Sequence, residues 1–279
     1  MRLLELTSDT VFKTFMMSEK TINYKAKLIH LITGIPESEL LKATYTSEEL
    51  PVSNKNNKTY KTDIIVRIDK HIINIEMNKN YYEGLFIKNA SYTNKIGSEK
   101  YERGDDYLDI EQVIQINIDD FHKYRGNKLL YEFMMREKDT GELENNLIKS
   151  YHIDLSYLDN VSYNNVDELE KNCLIFKELE EQIRDTLRSD KIMDEAYEEL
   201  ERISRDKNII GLYDKEKVEQ KIINTRLLDA ERRGKKEGIM EGEKNKSIEI
   251  AKNMLNENID ILTIQRVTGL PKEQIEELK

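Results

Sequence analysis

Two acidic residues in the segment KTDIIVRIDKHIINIEMNKN, residues 61–80, stand where they could hold a metal ion. The segment has two β-rich runs around a short polar break, and an acid, Asp63 or Glu76, lies near the outer end of each run. If Asp69 and Lys70 form the turn, antiparallel pairing places Asp63 opposite Glu76. Opposed carboxylates repel each other, but a divalent cation such as Mg²⁺ binds such oxygen ligands and reverses the sign of the interaction.

The two faces of this predicted hairpin differ in chemistry, because side chains alternate along a strand. Polar residues crowd the open end of one face, where Asp63, Glu76 and Asn78 lie together. A slip of one residue would break the apolar face, so the pattern favours this register. The alternative is an ordinary solvated face on which both acids are merely exposed. The opposite, apolar face consists of Thr62, Ile64, Val66, Ile68, His71, Ile73, Ile75 and Met77.

Composition restricts the function classes. The 279 residues carry a net charge of -10, which argues against general binding of nucleic acid. Residues 1–130 hold 19 basic and 19 acidic side chains, however, so this half can present a basic surface locally. No apolar run approaches the roughly 18 residues that a membrane span needs, and the N-terminus lacks a signal-peptide pattern. A single cysteine, Cys173, excludes an intramolecular disulfide, so we expect a cytoplasmic protein without membrane association and with a buried thiol.

The order of the predicted elements indicates an α/β core followed by helices. Amphipathic helices are predicted within residues 9–33, the hairpin follows, and a long helix is expected from about Tyr81 to Glu102, ending at Gly104. Strands are predicted in VIQINI and KSYHIDLSYL, and the pattern is mostly helical from Val166 onward. We therefore place a core in residues 1–160 and an acidic helical extension in residues 161–279.

The ordered set of motifs resembles the PD-(D/E)XK nuclease superfamily and, within it, the recombination-promoting nuclease/putative transposase family. That superfamily has an acid on one strand and an E-x-K on the next; this family commonly has E-x-Q, followed by a helix with a basic residue and a tyrosine. The resemblance covers most of the chain. The matching segments are TDIIV, IEMN, FIKNASY, DTVFKTF, ERGDDYLDIEQVIQINI, YEFMMREKDTGE and the C-terminal tail.

The resemblance implies a restriction-endonuclease-like three-layer core, with a mixed central sheet flanked by helices, and an α-helical C-terminal extension. It also implies a metal-dependent endonuclease that acts on DNA, with Mg²⁺ as its cofactor or Mn²⁺ in its place. Asp63, Glu76 and the Met77 carbonyl would be the metal ligands. Asn78 takes the place of the superfamily's lysine, and an amide can position water or phosphate but carries no charge. The adjacent Lys79 points to the other face unless the strand ends there.

Two further groups of residues could support such a site. Lys88, Tyr92 and Lys95 share one face of the long helix and could hold phosphates; the alternative is a solvated basic stripe with the tyrosine half in the core. Asp9 and Lys13 are spaced for a surface ion pair on the first helix, or Asp9 joins the acidic cluster.

The C-terminal region leaves its role open. Gly234, Gly238 and Gly242 recur every four residues, which is typical either of a weakly stable linker helix or of a helix–helix contact in a homodimer. Residues 248–278 are compatible with a small helix-turn-helix-like segment. Its last helix is acidic on balance, which favours a protein contact over DNA recognition.

The sequence therefore predicts a DNA endonuclease linked to recombination or mobile elements. Asn78 motivates the alternative, a catalytically weakened nucleic-acid-binding or protein-assembly module on a nuclease fold.

Overall fold

The computed structural model describes residues 2–47, 49–50, 60–98, 106, 111–145 and 147–278. The predicted end of the long helix at Glu102 and Gly104 lies outside the described residues, as does most of ERGDDYLD. The helices are α1 (Asp9–Met17), α2 (Ile22–Thr33), α3 (Glu37–Leu40), α4 (Leu85–Ser98), α5 (Glu168–Cys173), α6 (Glu181–Leu187), α7 (Lys191–Arg205), α8 (Lys207–Asn256), α9 (Ile261–Thr268) and α10 (Lys272–Glu276). The strands are β1 (Thr44–Thr46), β2 (Glu49–Leu50), β3 (Tyr60–Lys61), β4 (Ile64–Ile68), β5 (His71–Asn78), β6 (Gln112–Asp119), β7 (Leu130–Met134) and β8 (Ile148–Asp154).

Six strands form one mixed sheet in the order β1-β4-β5-β6-β8-β7, and β2 pairs with β3 separately. β4 and β5 are an antiparallel hairpin, whereas β5, β6 and β8 are parallel neighbours. Parallel strands need a crossover connection, and α4 belongs to the connection from β5 to β6. Helix α4 packs on β5 and β6, while α1 packs against β1 and β4. The family-typical α/β architecture with a mixed sheet between helices is confirmed.

The predicted hairpin register is confirmed. Ile68 pairs with His71 across the turn, and Ile64 pairs with Ile75 at the other end. The next opposed position brings Asp63 opposite Glu76. The apolar face of the hairpin enters the main core, because burying it removes a continuous strip of isoleucine and valine side chains from water.

The main core lies between this sheet face and the helices around α1, α2 and α7. Residues beyond 160 contribute much of it, including Cys173, Phe176 and Leu200, all of which are buried. The compact units accordingly comprise residues 1–216 and 217–279. The division predicted at residue 160 does not coincide with this one, because the helices between residues 161 and 216 bury apolar side chains in the first unit.

The second unit has a small core of its own, formed by Ala251, Ile264, Leu270 and Ile275. Gly269 adopts a φ of +70° at the end of α9, a left-handed conformation that favours glycine. Helix α8 is continuous through the glycine repeat. Apart from the adjacent residues and the nearby backbone of α8 itself, no atom of the described residues lies within 4 Å of a Cβ built on any of the repeat's three glycines, and the homodimer contact stays a prediction.

Three local features differ from the sequence-based expectation. Helix α4 begins at Leu85, not Tyr81, after Gly84 with a φ of +92°. Strand β7 was not expected, because its sequence LYEFM shows no regular alternation of apolar and polar residues. The predicted strand KSYHIDLSYL ends at Asp154, whose side chain accepts a hydrogen bond from the Ser156 N–H and starts a 3₁₀ helix.

Two expectations about individual features can be compared with the described residues. The Cys173 side chain is 1% exposed, as predicted for a buried thiol. No helix among the described residues is both long enough and apolar enough to cross a membrane.

The two faces of the fold can be tested with a matched pair of isoleucines. Ile73 on β5 is fully buried, whereas Ile87 on α4 is 77% exposed. We expect Ile73→Ala to lower the free energy of unfolding by about 2–5 kcal/mol, because it leaves a cavity in the core. Ile87→Ala should change it by less than about 0.5 kcal/mol. Urea denaturation followed by circular dichroism measures both, and equal losses would contradict the assigned faces.

Candidate active site

The sheet face beneath α4 is polar across three adjacent strands. The parallel register aligns Glu76 with Asn117, and Asn117 with His152, in one row. The neighbouring positions on this face are also polar, and all but Ser150 are buried. The alternative of a solvated outer face for the acid pair is therefore wrong, since Glu76 is only 2% exposed. The residues of this face are Asn74, Glu76, Asn78, Gln115, Asn117, Asp119, Ser150, His152 and Asp154.

Asp63 and Glu76 hold each other through their backbones. The Met77 N–H donates to Asp63 Oδ2 at 2.9 Å, and the Asp63 N–H donates to Glu76 Oε1 at 3.3 Å. Each carboxylate is thus fixed by the strand that carries the other one. The hairpin pairing therefore holds the two acids next to each other.

Two lysines from different helices neutralise the pair. Lys13 on α1 lies 3.1 Å from Asp63 and 2.5 Å from Asp9. Lys88 on α4 lies 3.2 Å from Glu76. The i, i+4 ion pair between Asp9 and Lys13 forms as the spacing predicts, and the same lysine also ties Asp9 to the acid pair.

Burial governs the protonation of both carboxyl groups. It raises the pKa of Glu76 to about 7, the negative charge of Asp63 adds to this effect, and Lys88 opposes it. Burial also raises the pKa of Asp63, against the opposing charge of Lys13. Such perturbed, coupled acids are typical of functional sites.

The donors present fit a hard divalent cation. Among the described residues, no group of three or more His, Cys, Asp or Glu side chains is placed to hold a metal ion. Mg²⁺ does not need one, because it is commonly held by one or two carboxylates together with water and substrate phosphate. The Met77 N–H points toward Asp63, and a residue's N–H and C=O leave an extended strand on the same side. The Met77 carbonyl therefore lies on the side of Asp63.

The residues next to the acid pair have other partners. Asn78 is buried, and its Nδ2 donates to Asp119 Oδ1 at 2.8 Å. Lys79 lies beyond the end of β5, and its ammonium group pairs with Glu5 at 2.7 Å. Asn78 therefore keeps a place beside the acids with its amide orientation fixed, while the Lys79 ammonium group is paired elsewhere.

The three predicted residues of α4 differ in position. The Lys88 ammonium group lies 5.0 Å from the centre of the Tyr92 ring. Tyr92 is 9% exposed, so its ring lies on the buried side of Lys88. Lys95 is half-buried in the last turn of the helix. Lys88 reaches the acid pair directly, since its ammonium group donates to Glu76 Oε2 at 3.2 Å.

A chain of hydrogen bonds runs through the polar face from Asp119. His152 Nδ1 lies 2.7 Å from Asp119 Oδ2, and a carboxylate accepts, so this ring nitrogen donates. His152 Nε2 then accepts from Asn117 Nδ2 at 3.1 Å. Asn117 Oδ1 in turn accepts from Gln115 Nε2 at 3.0 Å and from Asn89 Nδ2 at 2.6 Å.

Sequence analysis missed Asp119, His152 and the amides between them. The signal was present as strict alternation in IQINID, residues 114–119, where Gln115, Asn117 and Asp119 share one face of β6. The sequence did not indicate which strands are neighbours in the sheet, so this polar face could not be recognised from it.

A model of the PD-(D/E)XK nuclease family transposase family matches residues 6–225. The chain belongs to this family. A second model, the C-terminal HTH domain of the Rpn/YhgA-like nuclease family, matches residues 244–279. No curated protein matches the chain. The resemblance inferred from the motifs is confirmed, and PD-(D/E)XK nucleases typically use divalent metals.

In this PD-(D/E)XK family member, Asp119 can be tested as the acceptor that orders the polar face. Asp119→Asn should lower the free energy of unfolding by about 1–3 kcal/mol. Asn78 and His152 donate to different oxygens of Asp119, and an asparagine side chain has an oxygen at only one of these two positions. The matched control is Asp120→Asn, since Asp120 is partly exposed and lies 3.9 Å from Lys177; it should cost less than about 1 kcal/mol. Urea denaturation compares the two, and equal shifts would contradict the role of Asp119.

Proposed function

We propose that the protein is a metal-dependent endonuclease that hydrolyses DNA phosphodiester bonds, in recombination or in the movement of mobile elements. One observation carries this proposal: Asp63 and Glu76 form a buried, mutually locked acid pair in a chain of the PD-(D/E)XK nuclease family transposase family. Two acids this close are costly to bury unless cations neutralise them. Lys13 and Lys88 face three carboxylates, because Lys13 is shared with Asp9, and the carboxylate donors suit Mg²⁺ or Mn²⁺ as a further cation.

Asp63, Glu76 and the Met77 carbonyl would hold the metal. When bound, Mg²⁺ polarises a phosphoryl oxygen and lowers the pKa of a bound water. The protein's part is to fix the two carboxylates through the hairpin and to shield them from bulk water under α4.

Lys88 supplies the positive charge that Asn78 lacks. Its ammonium group is within 3.2 Å of Glu76 and rests over the Tyr92 ring, so it can meet a phosphate that approaches the acid pair. Asn78, whose orientation Asp119 fixes, positions water or a phosphate oxygen. Lys13 and Asp9 support Asp63 from α1, and Lys95 extends the basic face of α4.

DNA is the proposed substrate because the family and the C-terminal HTH domain both suggest DNA binding. Helix α10, within the matched HTH region, has the sequence KEQIE, which is acidic on balance. We therefore assign DNA cleavage to the first unit and propose a protein contact for the end of the second.

A second candidate function is nucleic-acid binding or assembly without cleavage. The observation that favours it is the Asn78 amide, which replaces a charged lysine and donates to Asp119. Metal-dependent cleavage distinguishes the two functions.

Plasmid cleavage in Mg²⁺ or Mn²⁺ tests the proposed site. Wild-type protein should nick or linearise supercoiled DNA, and EDTA should stop it. Asp63→Asn and Glu76→Gln should each lower the rate by about 100-fold or more, because each removes a ligand charge. The control is Asp69→Asn at the exposed turn of the same hairpin, which should cleave as wild type does. Activity that survives both substitutions would refute the assigned site; no cleavage by any clean preparation would favour the binding module.

Substitutions that remove or keep the charge of Lys88 test whether this residue has a specific role in cleavage or is one of many basic surface residues. Lys88→Gln should reduce the cleavage rate by about 100-fold, since a positive charge beside the reacting phosphate is lost. Lys88→Arg should keep more activity than Lys88→Gln, because it keeps the charge. Lys70→Gln at the exposed hairpin turn is the matched control, with cleavage expected near the wild-type rate. Equal rates for Lys88→Gln and Lys70→Gln would contradict a role for Lys88.

A further inference from the structure

Five aromatic rings form one continuous cluster beyond the ends of β5 and β6. We call it the aromatic platform, and it contains Tyr81, Phe86, Phe121, Tyr124 and Phe133. The ring centres of Tyr81 and Phe121 are 5.6 Å apart, and those of Tyr124 and Phe133 are 4.9 Å apart. Phe86 and Tyr124 join the two ends, stacked within 7° of parallel at 5.6 Å.

Both ends of the aromatic platform are open to solvent. Tyr81 is 42% exposed and Phe133 is 43% exposed, and the neighbouring Tyr82 is 50% exposed. A lone exposed aromatic residue is unremarkable, but a contiguous exposed aromatic surface indicates a binding site.

The segment around Tyr124 brings three basic residues to the aromatic platform. Lys123 lies 4.1 Å from the centre of the Tyr81 ring. Arg125 and Lys128 are exposed, and within the described part of the chain none of these three cations forms an ion pair with a carboxylate. Of the nearby acids, Asp120 lies 3.9 Å from Lys177 and Asp154 lies 2.6 Å from His122, while Glu83, two residues after Tyr81, is exposed.

The aromatic platform is coupled to the acid pair through one histidine. The His152 ring meets Phe86 at 4.8 Å and Phe133 at 5.5 Å, edge to face. The same ring bonds to Asp119, which accepts from Asn78. Asn78 lies two residues after Glu76 on β5, so a strand bound near Glu76 can reach the platform.

A recess of about 170 Å³ adjoins the platform at Phe86 and His152. Its lining includes the buried amides Asn89 and Asn117. Asn89 Oδ1 is buried without a hydrogen-bond partner in the described structure. A planar group with a polar edge, such as a nucleobase with a ring N–H, matches this combination of rings and an unused acceptor.

Aromatic rings beside free cations are the means by which proteins bind single-stranded nucleic acid, because bases stack on the rings and the cations meet the phosphates. Paired bases in a duplex cannot do so, since both of their faces are already stacked. Resting on the proposed function for its choice of DNA, we propose that unpaired bases of a DNA strand beside the scissile phosphate stack on the aromatic platform. The substrate would then be single-stranded DNA or a duplex with a locally opened strand.

The absence of tryptophan from the sequence provides a local test. Tyr81→Trp introduces one tryptophan into the platform of the full-length protein. Its fluorescence is titrated in EDTA, so that binding is read without cleavage, with oligo(dT) of about 12 nucleotides, a length suited to such sites. The comparison ligands are an abasic strand of equal length, a matched duplex and oligo(rU).

We expect oligo(dT) to quench the fluorescence of the Tyr81→Trp protein in a saturable way, and the abasic strand and the duplex to quench it at least about 10-fold more weakly. Adding Phe133→Ala to the reporter protein should weaken oligo(dT) binding by about 10-fold, since it removes one stacking surface. Tyr163→Trp is the matched control, because Tyr163 is 40% exposed and lies outside the platform; its fluorescence should not respond.

Three outcomes would overturn the inference. Equal quenching by the abasic strand would identify a phosphate-binding surface without base stacking. If the fluorescence of neither Tyr81→Trp nor a second reporter, Tyr82→Trp, responds to DNA, the platform does not bind bases, and a protein partner becomes the favoured ligand. Tighter binding of oligo(rU) would assign the platform to RNA. Quenching by oligo(dT) in a protein that does not cleave would retain the platform and reject the nuclease, so the two proposals can fail separately.

Discussion

The register of the β4–β5 hairpin is the constraint on which the site depends. It places Asp63 opposite Glu76 and gives each acid a backbone hydrogen bond from the other's strand. The same register sends the hairpin's apolar side chains into the main core. Shifting one strand by one residue would turn its acid toward that core and separate the two acids, so the free energy that folds the sheet also fixes the acid pair.

A single carboxylate, that of Asp119, sets which groups donate and which accept in the hydrogen bonds of the polar face. Asp119 can only accept when ionised, so the donors of Asn78 and His152 must face it. The orientation passes from His152 to Asn117, and each amide nitrogen then points along the network. Carbonyl oxygens are left over at its far end, and Asn74 Oδ1 and Asn89 Oδ1 are indeed the amide atoms of this face that are buried without a partner among the described residues. Such atoms are costly unless water or a ligand meets them.

Local patterns in the sequence were sufficient for the hairpin, its two faces and the family. The hairpin and its faces depend on residues within about 20 positions of one another, where alternation and turn position leave few choices, and the family was indicated by the order of short motifs along the chain. The contact of Lys13 with Asp63 joins α1 to the hairpin, and the family resemblance suggested it only in outline. The aromatic platform was beyond local reasoning altogether, since Tyr81 and Phe133 belong to separate segments that only the parallel sheet brings together.

The segment FHKYRGNK, residues 121–128, shows how such a feature is overlooked. Its cations alternate with aromatic residues, which is a composition typical of nucleic-acid contact. In a chain with a net charge of -10, overall charge conceals a local basic surface. The segment lies beside Asn78 because β6, which it follows, is the neighbour of β5 in the sheet. This position relates its basic and aromatic residues to the acid pair.

The buried thiol of Cys173 can be used to measure opening motions of the core without any change to the sequence. It is 1% exposed, and burial raises its pKa, so a thiol reagent cannot react with it in the closed state. Modification requires the segment from Glu168 to Phe176 to open away from α2, on which α5 packs. With one cysteine in the chain, the labelling rate measures the free energy of that opening directly. The natural sequence therefore carries its own probe of how often the helices of the first unit separate.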